Sequence, residues 1–216
     1  MIDGAFIDGC EAVFFDFDGV LVESIAIKVE AFRRLYDEFG PDVVARVLAH
    51  HKEHEGISRL EKIRHCHREF LGVTLSDDEV TAWGRRYAAM VEEGVVACDP
   101  VPGAVDLLQR HRGRRPLFVV SGTPEDELRR IVDKRGMAPY FTDVRGSPPR
   151  KTPIVRDLLA HHGLDPARCL FMGDAMADHR AAMDTGMPFL GRVAAGADNP
   201  FPPGTETISD LRRLLP

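Results

Sequence analysis

Four short apolar runs limit what this chain can become: "AVFFDF" (12–17), "RPLFVVS" (115–121), "RCLFMGD" (168–174) and "MPFLGR" (187–192). Each is brief, rich in Val, Phe or Leu, and bounded by Gly or Pro, the pattern of a buried parallel strand. "YFTDVRG" (140–146) is a weaker fifth. After residue 102, helical patterns separate the runs: "GAVDLLQRH", "PEDELRRIVDK", "PIVRDLLAHHG" and "ADHRAAMDTG". Strand alternating with helix predicts a doubly wound α/β layer on a parallel sheet.

Roughly one hundred residues separate the first run from the second, far more than the dozen or so a crossover needs. Residues 24–97 are helical in pattern throughout. "AIKVEAFRRLYDEFG" spaces Ile27, Phe32, Leu35, Tyr36 and Phe39 along one apolar face. "SRLEKIRHCHREFLG" and "SDDEVTAWGRRYAAMVEEG" continue it, with Ser58 and Ser76 predicted as N-caps and Gly72 and Gly94 as stops. The expected organisation is a core of residues 1–23 and 98–216, with a helical domain, 24–97, inserted just after strand one.

The 216 residues carry a formal charge of −6, which offers no general attraction to nucleic acid or to anionic membranes. No stretch approaches the eighteen or so apolar residues a membrane span needs. The N-terminus, "MIDGAFIDGC", is acidic and lacks the basic flank of a signal peptide. Cys10, Cys66, Cys98 and Cys169 are scattered without C-x-x-C spacing, so free thiols in the cytoplasm are expected.

"EAVFFDFDGVLVES" (11–24) places Asp16 and Asp18 at the end of a buried run, where charge is costly. In open α/β sheets the ligand site lies beyond the carboxyl ends of the strands. Asp16 and Asp18 should meet Ser121-Gly122-Thr123 from the second run and Gly173-Asp174 from the third, with Asp178 four residues beyond Asp174 and Lys151 opening another helix. Acids, a hydroxyl and a lysine at one point suggest Mg²⁺ and a phosphate. Pro124 fits a first helical position and Thr123 its cap, which would aim backbone N–H groups at an anion.

These features together resemble the haloacid dehalogenase superfamily of phosphohydrolases, over nearly the whole chain. "DFDGV" matches its first motif, "VVSGT" the second, Lys151 the third and "GDAMAD" the fourth. The insertion resembles the helical cap of the subgroup that holds phosphoglycolate phosphatase and β-phosphoglucomutase. The resemblance implies a Rossmann-like core and a phosphatase of a small phosphorylated metabolite. It implies that Asp16 attacks phosphorus to form an aspartyl phosphate, and that Asp18 protonates the leaving alcohol and later deprotonates water. Asp16, the backbone carbonyl of Asp18, and Asp174 would hold Mg²⁺, steadied by Asp178. Ser121 and Gly122 would grip phosphate, and Lys151 would neutralise charge. By the same likeness, "EGISR" (55–59) is a specificity loop from which Arg59 reaches a second anionic group of the substrate.

Other readings stand beside these. Asp178 is also a first-turn acid suited to the helix dipole, Thr123 a plain cap, Lys151 a surface lysine and Arg59 an ordinary start-of-helix arginine. His50, His51, His54, His65 and His67 match no zinc spacing, and a solvated helix face accounts for them. A phosphomutase of the subgroup carries a histidine twelve residues after the nucleophile, where this chain has Lys28. Phosphonate hydrolysis needs a cap lysine that forms a Schiff base, for which Lys28 and Lys62 are candidates. A non-catalytic binding protein would be expected to lack Asp16 or Asp174.

Overall fold

A computed structural model describes residues 1–215. Its sheet has six parallel strands in the order β3-β2-β1-β4-β5-β6. They span Ala12–Phe15 (β1), Leu117–Pro124 (β2), Asp143–Ser147 (β3), Cys169–Gly173 (β4), Phe189–Arg192 (β5) and Thr207–Ile208 (β6). All five apolar runs of the sequence are strands, and the weak one is β3 on the edge. Both faces of the sheet are covered, which is why the central runs do not alternate polar with apolar. Val13, Phe15, Val119 and Met172 enter one core cluster, while Ala12, Phe14, Val120 and Phe171 enter another.

The first cluster takes residues from α1 (Gly4–Gly9), α6 (Ala104–His111) and α7 (Glu125–Lys134). The second takes them from α8 (Lys151–His162) and α9 (Met176–Thr185). Between β1 and α6 the chain forms α2 (Ile25–Leu35), α3 (Pro41–Glu53), α4 (Arg59–Leu71) and α5 (Asp77–Ala97), which pack on one another. Phe32, Leu35 and Tyr36 are buried as their spacing predicts, while Phe39 is half-exposed and leans on Trp83. Ser58 and Ser76 cap α4 and α5, the second as a full capping box with Glu79, and Gly72 ends α4 in the left-handed conformation.

Three local expectations fail. Gly94 does not stop α5, which runs on to Ala97; there the missing side chain lets Ile27 of α2 pack against the helix. Thr123 does not cap α7, because β2 continues through Pro124 and the helix begins at Glu125. The histidines are not a solvated face: His50, His51 and His67 are buried, with His51 against the Phe32 ring and His67 between Tyr36 and Trp83. The polar look of α3 and α4 hid this, since both helices turn histidines onto aromatic rings of their neighbours.

Candidate active site

The carboxyl ends of β1, β2 and β4 converge below the helical bundle. The Asp16 N–H donates to the Met172 carbonyl at 2.9 Å, which ties the first acid to the end of β4. The chain then turns at Gly19, whose φ of +72° suits glycine. A Cβ there would lie 2.0 Å from Oδ2 of Asp174, so the residue after the two acids must be bare for the acids to approach. Arg192 braces this turn by donating to the Gly19 carbonyl at 3.2 Å and pairing with Glu23 at 2.6 Å.

Lys151 opens α8 with its side chain buried, 2.8 Å from Oδ2 of Asp16 and 2.5 Å from Oδ1 of Asp178. It is no surface lysine. Burial pulls its amine down, but the two carboxylates outweigh that and hold it above the usual lysine range. Asp178 is fully buried and does two things at once: it contacts Lys151, and its Oδ2 accepts from the Ala175 N–H at 3.1 Å to cap α9. Oδ1 of Asp16 accepts from the Phe17 N–H at 2.6 Å.

Asp16, Asp174 and Asp178 bring oxygens within 4.8 Å of one another, the only such acidic or histidine group among the described residues. One ammonium, that of Lys151, pairs with two of the three carboxylates. Burial first, then Asp16 and Asp178, push the Asp174 carboxyl well up, and burial also raises Asp16 against the pull of Lys151. Excess buried negative charge on hard oxygen donors fits a divalent cation such as Mg²⁺. Both oxygens of Asp16 and of Asp178 already have partners, while Asp174 has no hydrogen bond or ion pair among the described residues and is the freest of the three to hold it.

Asp18 looks the other way. Its Oδ1 accepts from Ser24 at 2.6 Å, and its Oδ2 from Thr123 at 3.1 Å and from the Lys28 ammonium. Burial raises this carboxyl, but Lys28 and the three hydrogen bonds outweigh it and hold it below the usual range. Ser121 is buried beside it and accepts from the Thr123 N–H at 3.1 Å. A Cβ on Gly122 would lie 2.7 Å from the carbonyl of Gly56, so glycine is what lets the loop before α4 press down on the end of β2.

A cavity of about 560 Å³, its open mouth included, runs from Asp16 and Asp174 up to Arg59, Lys62 and His51. Every predicted site residue except Lys151 and Asp178 lines it, and those two lie against Asp16. The sequence profile of the haloacid dehalogenase-like hydrolases matches residues 10–186. The chain belongs to that family. Among its relatives, the 6-phosphogluconate phosphatase of Escherichia coli is 28% identical over 211 residues, 94% of this chain and 92% of that protein. A phosphoglycolate phosphatase of Synechococcus elongatus is 24% identical over 180 residues, 82% of this chain and 81% of its own. The fold matches β-phosphoglucomutase of Clostridium difficile with a TM-score of 0.75 at 19% identity, covering 95% and 93% of the two chains.

Several residues of this hydrolase site escaped the motifs. Ser24 and Lys28 sit one turn apart at the start of α2, and Glu127 pairs with Arg59 at 2.5 Å across the boundary between bundle and core. The Ser-x-x-x-Lys spacing of Ser24 and Lys28 is a signal for one helix face, but nothing in it points to Asp18 as their target.

Proposed function

We propose that this chain is a Mg²⁺-dependent phosphatase of small phosphorylated metabolites, working through an aspartyl phosphate. The observation that carries the reading is the group of Asp16, Asp174 and Asp178 at the strand ends, with Lys151 paired to the first and the last of them. Asp16 attacks phosphorus, the leaving alcohol takes a proton from Asp18, and Asp18 then deprotonates the water that cleaves the phosphoenzyme. Lys151 and the β2 turn at Ser121-Gly122 stabilise the phosphoryl oxygens. Mg²⁺ held by Asp16, Asp174 and the Asp18 carbonyl would offset the repulsion between a carboxylate and a phosphate dianion.

Residues 24–97 act as a cap over a core of residues 1–23 and 98–216, which keeps water from the reacting centre. Lys28 in place of an imidazole counts against the mutase reading. The relatives' activities on phosphate esters support hydrolysis, and four free thiols suit a cytoplasmic setting. The test is release of inorganic phosphate from a metabolite panel with Mg²⁺ and with EDTA. Turnover should need the metal and fall at least 10³-fold in Asp16→Asn with the circular dichroism unchanged. Substantial residual turnover would remove Asp16 as nucleophile.

A further inference from the structure

Three histidines of the bundle meet side by side. His50 and His54 stand one turn apart at the end of α3, and His65 faces them from α4. His50 is the middle ring: its centre lies 4.0 Å from that of His54 and 3.9 Å from that of His65, with the His65 ring parallel to it within 4°. Phe70 closes the group edge-on, 5.4 Å from His65. His54 opens onto a second cavity, of about 860 Å³ with its mouth included, so the group can be reached from solvent.

The other two histidines of these helices have polar partners within the bundle: His67 bonds Tyr36 and the Ile63 carbonyl, and His51 bonds Lys62. In the trio one side-chain hydrogen bond is present among the described residues, between Nδ1 of His54 and the His50 carbonyl at 3.0 Å. A carbonyl only accepts, so Nδ1 carries the proton and Nε2 of His54 keeps its lone pair. Metal-binding imidazoles are held in this way, one nitrogen donating to a backbone carbonyl so that the other is aimed and basic. Rings this close repel one another when protonated, which favours the neutral form that can donate to a metal.

We infer that His50, His54 and His65 form a site for a borderline transition-metal cation such as Zn²⁺, separate from the acidic cluster. Nitrogen donors select zinc, copper or nickel, whereas Mg²⁺ takes oxygen, so the two sites differ in the ions they hold. Zn–N bonds of about 2.0–2.1 Å at tetrahedral angles put the centres of two bound imidazoles roughly 5 Å apart. The three separations here, 3.9, 4.0 and 6.4 Å, fall on both sides of that value. In the free protein the nitrogens do not converge as the carboxylates do, and rotation of the outer side chains closes the gap while α3 and α4 stay packed. The third ligand comes from another helix, which is why no spacing in the sequence marks the set. A bound ion would tie together the helices on either side of the loop that meets Gly122.

The test is calorimetric titration of Zn²⁺ into the full chain saturated with Mg²⁺, repeated in Asp174→Asn to take the acidic cluster out of account. Saturable binding of one ion per chain should survive Asp174→Asn. Its affinity should fall at least tenfold when His54→Gln or His65→Gln is added, with thermal melts in EDTA showing each variant folded. Co²⁺ in place of Zn²⁺ should give the intense visible absorption of a tetrahedral site, lost in both histidine variants. Absence of saturable Zn²⁺ binding in Asp174→Asn, or binding that neither histidine substitution weakens, would overturn the assignment. So would an ion released by Cys66→Ser and kept by both histidine variants. None of these outcomes depends on turnover, so the site stands or falls apart from the phosphatase reading.

Discussion

Lys28 and Asp18 form a nearly buried ion pair, with the Lys28 ammonium also 2.9 Å from the Thr123 hydroxyl. The lysine therefore joins the start of α2 to the end of β2 through the carboxylate that the proposed mechanism uses to give and take a proton. In this arrangement Asp18 is ionised, ready as a base, and as an acid it must first exchange Lys28 for a proton. In the proposed mechanism Lys28 is a positioning residue that sets when the proton is available.

Replacing it should be visible at Asp18 itself. Lys28→Met removes the cation and one hydrogen bond while burial stays, so the Asp18 carboxyl should rise by about 1–3 pH units. Carboxyl ¹³C shifts followed against pH would give the value in both proteins. An unmoved titration would show that Ser24 and Thr123 alone hold the anion.

The acidic cluster of Asp16, Asp174 and Asp178 makes an opposite prediction about charge. The Asp174 carboxyl is raised in the folded protein, so the native state binds more protons than the unfolded one as pH climbs from the unfolded value near 4. Metal-free protein should lose stability over that climb. Asp174→Asn should then melt higher than wild type in EDTA at pH 7.5, while losing most of the Tm increase that Mg²⁺ gives the wild type. A variant that melts lower in EDTA, or one still stabilised fully by Mg²⁺, would contradict this account of the cluster.

Gly19→Ala tests how tightly the two acidic loops are packed. The new methyl group would meet the Asp174 carboxylate in a left-handed backbone conformation. The expected loss is about 2–4 kcal/mol from strain and displacement together, with Mg²⁺ affinity falling at least tenfold. Urea unfolding and a metal titration measure the two parts separately. Normal metal affinity would mean that Asp174 can move aside at little cost.

The core and its floor were legible because they are written in short-range patterns. Strands buried on both faces read as apolar runs, and Asp16, Asp18, Ser121, Lys151, Asp174 and Asp178 sit at strand ends or helix starts, where sequence position nearly fixes spatial position. The cavity's upper wall was not legible. "RLEKIRHCHRE" looks solvated, yet Arg59 and Lys62 are buried, because a helix that faces a polar cavity has no hydrophobic periodicity on that side. Glu127 likewise carries no mark within "PEDELRRIVDK", and only the fold brings Arg59 to it across 68 positions.

Lys62 also carries a signature in stability. Its amine titrates near 7 in the folded protein, against 10.5 for the ordinary side chain. Between those values the unfolded chain holds a proton that the native state has given up, so stability from this group rises with pH and the burden is full below 7. Lys62→Met keeps the aliphatic volume and discards the charge. It should raise stability, and with it Tm, at pH 6, by up to roughly 5 kcal/mol in the shift-to-energy conversion, and the gain should shrink toward pH 9.5 as giving up the proton costs less. Paired thermal melts at pH 6, 7.5 and 9.5 supply the measurement. A gain that is constant with pH would mean the benefit came from packing, and a loss at pH 6 would mean that Lys62 already has an anionic partner in the free protein.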